Sequence, residues 1–75
     1  MTTQEFLTEM EDVLQRDEPI AATDVLRDME EWDSLSKMAT MAFFKKHFDV
    51  AISLDEISKF ESVSDLIKLA GDKIQ

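Results

Sequence analysis

The sequence has no cysteine, and it has only one glycine and one proline among its 75 residues. The absence of cysteine excludes a disulfide framework and a thiolate zinc site, and it fits a reducing cytoplasm, where we expect the protein to act. Few glycines and prolines leave few points at which regular structure must break, which favours helices over a turn-rich β fold. A single glycine also argues against a glycine-rich phosphate-binding loop.

Long apolar runs are missing as well. We therefore expect no membrane-spanning helix and no membrane insertion, and the N-terminal residues lack the basic and apolar regions of a signal peptide. A hydrophobic fraction of 44% is too high for a disordered acidic tail. The sequence predicts one small folded domain over residues 1–75, and we expect it to be a monomer.

The formal net charge is -9, which argues against nucleic-acid binding because that function needs lysine and arginine to displace phosphate counterions. The charge is unevenly distributed along the chain. Residues 1–33 contain 11 acidic and 2 basic residues, whereas residues 34–75 contain 6 of each. A partner that meets the N-terminal part would therefore gain from a basic surface.

The apolar residues predict four helices. A first helix is predicted from Thr3 to Gln15, behind a capping box at Thr2 and Glu5. Pro19 prevents its continuation, and residues 16–33 form a long connection that is held by apolar side chains directed into the core. These side chains are Ile20, Val25, Leu26, Met29 and Trp32.

The second helix is predicted to begin at Asp33 or Ser34 and to end near Phe48. Met38, Met41, Phe44 and Phe48 have the spacing of one helical stripe, which we assign to the core. A short third helix is predicted over 54–60, and a fourth helix begins after Ser62 and carries Val63, Leu66, Ile67, Ala70 and Ile74 on its apolar face. The predicted fold is an all-α four-helix bundle with a short third helix and a long first loop.

The sequence offers little support for catalysis or for a metal site. His47 lies about 20 Å along the same helix from Ser34 at 1.5 Å per residue, too far to act as its base. We expect His47 to be a solvated residue at the helix C-terminus. Asp28, Glu30, Glu31 and Asp33 lack the glycine-bearing pattern of a calcium loop. We therefore expect neither an enzyme nor a metal-binding protein.

Ser34 has two possible roles. An Asp-Ser pair before an apolar-periodic stretch is typical of any helix start, so Ser34 could simply cap the helix. A helix N-terminus is also a favourable place for a phosphoester, because its N–H groups are free and its dipole end is positive.

The order of these elements resembles an acyl carrier protein over essentially the whole chain. The resemblance is carried by the acidic first helix, the long loop, the Asp33-Ser34-Leu35 motif, the segment Phe48-Asp49-Val50-Ala51-Ile52 and the Ser62-Val63 start of the last helix. It implies that Ser34 bears 4′-phosphopantetheine, beside Asp33 and Leu35. It also implies a phosphopantetheinyl transferase, which uses coenzyme A, and acyl-loading and acyl-processing enzymes as partners.

The sequence departs from the usual pattern of this family at two places. Trp32 stands where a small residue often precedes the motif. The second helix has Lys37, Lys45 and Lys46 but no acid between Ser34 and Phe48, whereas carriers of fatty-acid synthesis usually have acids there. Two interpretations remain open. Lys45 and Lys46 either simply complement the helix C-terminus, or they indicate a carrier of a specialised pathway whose partners contact the acidic loop 28–33 instead.

The residues expected to contact partners are Asp28, Glu30, Glu31, Trp32, Ala39 and Ala42. Methionine is deformable and suits a core that opens for a guest, so we expect the acyl cargo to be sheltered by one set of apolar residues. This set comprises Met38, Met41, Phe44, Ile57, Phe60 and Leu66. The alternatives are an aminoacyl or peptidyl carrier, and an interaction module that keeps the carrier fold without the arm.

Overall fold

The computed structural model describes residues 1–74 and has the predicted all-α architecture. In chain order its four α-helices are α1 (Thr3–Leu14), α2 (Ser34–Phe48), α3 (Leu54–Ser58) and α4 (Val63–Ala70). Short 3-10 turns lie at Leu26–Asp28 and Gly71–Lys73. The prediction of a long first loop and a short third helix is confirmed. Within residues 1–74, no helix is long and apolar enough to cross a membrane.

The helices begin at local capping signals. Thr2 Oγ1 accepts a hydrogen bond from the Glu5 amide at 3.1 Å, and Glu5 Oε1 accepts one from the Thr2 amide at 2.9 Å, so the predicted capping box is present. At the start of α4, Asp65 Oδ2 accepts from the Ser62 amide at 3.2 Å. These contacts satisfy amides that have no partner inside the helix.

Three helix ends differ from the prediction. The first helix ends at Leu14, because Gln15 adopts the left-handed conformation with φ 54°. The short third helix ends at Ser58, two residues earlier than expected. The fourth ends at Ala70 rather than at Ile74, since Gly71 has φ 64° and the chain continues as a 3-10 turn. Ile74 nevertheless returns to the core and is buried.

Phenylalanine rings form the centre of the core. Phe6 of α1 is fully buried, and its ring lies 6.0, 5.8 and 6.3 Å from those of Phe43, Phe44 and Phe48 of α2. The pairs with Phe43 and Phe44 are edge-to-face, and such pairs stabilise a core beyond the burial of their area. Ile57 of α3, with Leu66 and Val63 of α4, completes the same cluster.

The buried face of α2 agrees only in part with the stripe that the spacing predicts, since Phe44 and Phe48 are buried but Met38 is not. Met38 is 56% exposed, so its assignment to the core is wrong, and Met41 is only partly buried. Phe43 lies in the core together with Phe44 and Phe48. Two polar residues, Ser36 and Thr40, are also buried on this face.

The long loop is packed against the last helix, as its apolar residues predict. The amides of Val63 and Ser64, the first two of α4, donate to the carbonyls of Asp24 and Ala22 at 3.0 and 2.9 Å. Ile20, Leu26, Met29 and Trp32 are buried. Val25 is the exception, because it is 37% exposed and forms an isolated bridge with Ser62 instead of entering the core.

Candidate functional site

Ser34 is the first residue of α2, and its side chain is exposed. Within residues 1–74 its hydroxyl takes part in no hydrogen bond. The helix therefore presents a free hydroxyl at its N-terminal end, where the backbone dipole is positive. Ser34 does not cap the helix.

The cap of α2 is built from Asp33 and Ser36. Asp33 Oδ1 accepts a hydrogen bond from the Ser36 amide at 2.9 Å, and Ser36 Oγ accepts one from the Asp33 amide at 2.9 Å. The buried Ser36 hydroxyl also donates to the Glu31 carbonyl at 2.6 Å. Thr40 Oγ1 in turn donates to the Ser36 carbonyl at 2.9 Å. Two serines on the same helical turn thus differ, since the Ser36 hydroxyl is hydrogen-bonded within the fold and the Ser34 hydroxyl is not.

Arg16 holds the segment that leads to Ser34. Its guanidinium group lies 3.6 Å from carboxylate oxygens of both Glu18 and Glu31, and only 18% of its side chain is exposed. Because Glu31 is also tied to Ser36 through its carbonyl, these contacts connect the end of α1 to the start of α2. Arg16 is not among the site residues predicted from the sequence, where its only distinguishing feature is that it is one of two basic residues in the acidic segment 1–33.

A groove of about 520 Å³ lies beside Ser34, between the end of α1 and the start of α2. Residues 13–15 contribute one wall and Leu35, Ser36 and Ala39 the other, with Glu31 and Asp33 at the loop end. A second open cleft, of about 570 Å³, lies over the long loop. Its lining includes the acidic residues Asp28, Glu30 and Glu31 together with Arg16.

The family of the chain follows from a comparison with known protein families. The sequence model described as "Phosphopantetheine attachment site" matches residues 4–70, which is most of the chain. The chain belongs to the phosphopantetheine-binding carrier family. A search of curated proteins and a search of solved structures returned no match. The family implies a covalently attached 4′-phosphopantetheine group.

The start of α2 fits this group. A phosphoester needs an accessible hydroxyl that the fold does not use, and Ser34 has both properties. When attached, the group supplies a terminal thiol on a flexible arm, and the carrier has no cysteine of its own. Asp33 and Leu35, on either side of Ser34, are also exposed and can be reached by a modifying enzyme.

The residues predicted to contact partners are mostly at the surface. Asp28, Glu30, Ala39 and Ala42 are exposed, and Glu31 is partly buried against Arg16. Trp32 is different, since only 9% of it is exposed, and its role in the core leaves a partner little to contact. Lys37 Nζ lies 6.0 Å from the centre of the Trp32 ring and covers it further.

The residues predicted to shelter cargo do not line either cleft. Phe44, Ile57 and Leu66 are fully buried in the packed core. Met41 and Phe60 are partly buried against it, and the exposed Met38 lies outside. An acyl chain could enter among them only by displacing packed side chains.

Residues 1–74 contain no group of three or more His, Cys, Asp or Glu side chains arranged to hold a metal ion.

His47 lies in the last turn of α2, and the centre of its ring is 4.4 Å from the centre of the Phe43 ring. Lys45 Nζ contacts Asp49 Oδ1 at 2.8 Å, and Lys73 Nζ donates to the Phe48 carbonyl. The ammonium groups of Lys45 and Lys73 thus lie at the C-terminal end of the helix, where a positive charge is favourable.

Hydrogen bonds at the cap lower the pKa of Asp33. The main cause is the Ser36 amide, which donates to the charged carboxylate, and partial desolvation opposes the shift. Because the pKa is lower in the folded protein than in the unfolded chain, the contribution of Asp33 to stability is present above the unfolded value. This contribution is lost as the pH falls through the folded value.

We predict that the Asp33→Asn variant will depend less on pH than the wild type. The free energy of unfolding is measured with urea between pH 7 and pH 3. The advantage of the wild type should shrink as the pH falls below the unfolded pKa of Asp33 toward its lowered folded pKa, because the carboxylate that accepts from the Ser36 amide is protonated over that range. Asparagine also caps helices well, so the variant should remain folded. Acidification also weakens repulsion among the other acidic residues, and this changes the stability of both proteins. The difference between their free energies of unfolding is therefore the quantity to compare. A difference that stays constant over this range would contradict the assignment.

Proposed function

We propose that Ser34 bears the 4′-phosphopantetheine arm, and that this carrier delivers acyl or related thioesters to partner enzymes of a specialised biosynthetic pathway. The observation that supports the proposal is that different residues at the start of α2 cap the helix and present a free hydroxyl. Asp33 and Ser36 satisfy the helix end, and the exposed Ser34 hydroxyl is left free for modification. The proposed cargo is an acyl group or a related group, and the alternative is an aminoacyl or peptidyl group.

Intact mass spectrometry tests the attachment. The carrier should gain the mass of one phosphopantetheine group when it is incubated with coenzyme A, magnesium and a broad-specificity phosphopantetheinyl transferase. Fragmentation of the product should place the added mass on Ser34. If the chain stays unmodified while another carrier in the same tube is converted, the proposal is wrong.

Partner enzymes are proposed to approach over the acidic loop and the neighbouring face of α2. Asp28 and Glu30 are exposed and line the same cleft, whereas α2 offers exposed Ala39 and Ala42 and then the cations Lys45 and Lys46. The acids are thus close in sequence to Ser34, and the lysines are at the far end of the helix. A basic surface on the partner fits the loop.

We predict that the double variant Asp28→Asn, Glu30→Gln will be a poorer substrate of the transferase. Removal of two charges from the approach surface should lower kcat/KM by roughly tenfold at low ionic strength, mainly through slower association. The effect should shrink in about 1 M salt, where the Debye length is about 3 Å. Initial rates of the mass increase provide the measurement.

A matched control removes the same charge elsewhere. Glu9 of α1 and Asp72 near the C-terminus are exposed, so the double variant Glu9→Gln, Asp72→Asn changes net charge equally. Its kcat/KM should stay near that of the wild type. If kcat/KM fell equally in both double variants, the partner would respond to total charge and not to the loop. A third double variant, Lys45→Gln, Lys46→Gln, tests the opposite end of α2. If kcat/KM fell only in that variant, docking would be at that end.

A further inference from the structure

We propose that the pantetheine arm, when no partner is bound, rests in the groove between the end of α1 and the start of α2. The inference depends on the proposed attachment to Ser34, and it adds the place where the arm lies. The groove is the one described above, with Val13, Leu14 and Gln15 on one side and Leu35 and Ala39 on the other.

The attachment point is adjacent in the chain to residues of this groove, although Ser34 itself is not one of the lining residues. Asp33 and Leu35, the two neighbours of Ser34 in the chain, both line it. An arm leaving the Ser34 hydroxyl therefore starts beside the groove without any rearrangement of the backbone. A short flexible tether gives an effective concentration in the millimolar range, so even a weak contact is populated.

The lining matches the chemistry of the arm. Pantetheine carries a geminal dimethyl group and two amides, and it is uncharged beyond its phosphate. Val13, Leu35 and Ala39 offer apolar surface above the buried Leu14, and Leu35 is 78% exposed without the arm. The acidic residues of the lining, Glu31 and Asp33, lie at the loop end of the groove. Covering Leu35 with the dimethyl group removes apolar area from water. The exposed Gln15 side chain offers both a donor and an acceptor to the arm amides.

The groove is open, whereas the interior of the bundle is not. Phe44, Ile57 and Leu66 are fully buried, so an arm could pass between α2 and α3 only after side chains had moved apart. The other exposed apolar side chains near that side are Met38 and Leu54, with 56% and 45% exposure. They define the competing position for the arm, and an experiment can distinguish the two.

Nuclear Overhauser effects from the arm test the proposal. Carrier labelled with ¹³C and ¹⁵N is loaded from unlabelled coenzyme A, and isotope-filtered spectra report which protein methyl groups lie near the dimethyl group. We expect cross-peaks to Val13, Leu14, Leu35 and Ala39. Cross-peaks to Met38 and Leu54 instead, or none at all, would overturn the resting site. The mass of the same sample shows separately whether the arm is attached, so this failure is distinct from failure of the proposed function.

Two exposed alanines of α2 provide a matched pair of variants. Ala39 lines the groove and Ala42 does not. In arm-bearing Ala39→Phe, the new ring occupies the groove, and we expect loss of the cross-peaks to Val13 and Leu14. In arm-bearing Ala42→Phe these cross-peaks should persist. Their persistence in Ala39→Phe, or their loss in both variants, would show that the arm does not rest in the groove.

Discussion

Replacement of Ser34 by alanine is expected to abolish the mass increase produced by coenzyme A and the transferase, and to leave the helical circular dichroism unchanged. The first effect is complete, because the only atom proposed to accept the phosphopantetheine group is removed. The second follows from the structure, since Ser34 is exposed and Asp33 provides the cap. Alanine also has the highest helix propensity, so the first turn of α2 should be retained.

Ser36→Ala is the control, and it should have the opposite effects. The Ser36 hydroxyl is buried, accepts from the Asp33 amide and donates to the Glu31 carbonyl. Its loss should lower the free energy of unfolding by about 1–2 kcal/mol, a typical value for a lost cap or a buried group left unpaired. The variant should still gain the arm. Loss of structure in Ser34→Ala, or an unmodified but folded Ser36→Ala, would contradict this separation of roles.

Local signals made much of the fold predictable from the sequence. Thr2 and Glu5 form the capping box that their spacing indicates, and the helix that follows ends well before Pro19. For the cap of α2 the sequence offers both Asp33 and Ser34, and the residue three positions further on distinguishes them. Ser36, three residues after Asp33, can complete a capping box, whereas Lys37, three residues after Ser34, cannot reciprocate in that way.

The orientation of α2 could not be predicted in the same way, because apolar residues occur on nearly all its faces. Leu35 and Met38 look as suitable for burial as Phe43, and only tertiary packing selects among them. The choice falls on a face that includes the hydroxyls of Ser36 and Thr40. Burial of a hydroxyl is tolerable when it is hydrogen-bonded, and both donate to nearby backbone carbonyls.

The groove beside Ser34 was not predictable from the pattern of any one helix. It arises where the end of α1 meets the start of α2, and residues 13–15 lie far from Ser34 in the sequence. Val13 is one of the apolar residues of α1 and is only partly buried against the core, which leaves it available to line the groove. The site residues that belong to one contiguous motif were therefore accessible to sequence reasoning, whereas those brought in by helix packing were not.

Phe44→Ala is expected to destabilise the carrier severely. Phe44 is fully buried, and its ring lies 5.8 Å from Phe6 and 5.2 Å from Phe48. Truncation of such a ring costs about 3–5 kcal/mol, including the cavity left behind. Domains of this size lie near the lower end of the roughly 5–15 kcal/mol range of stability, so a large fraction of the variant should unfold. Urea denaturation followed by circular dichroism measures the change.

Met38→Ala is the matched test of the corrected α2 orientation. Both residues belong to the stripe predicted from spacing, but Met38 is 56% exposed. Its truncation should therefore change the free energy of unfolding by only about 0.5 kcal/mol, as for most surface substitutions. If the two variants lost similar amounts of unfolding free energy, Met38 would belong to the core after all. The helix α2 would then be rotated about its axis relative to the orientation described above. Such a rotation would also move Leu35 and Ala39 away from the groove, because they lie one and five residues from Ser34 on the same helix.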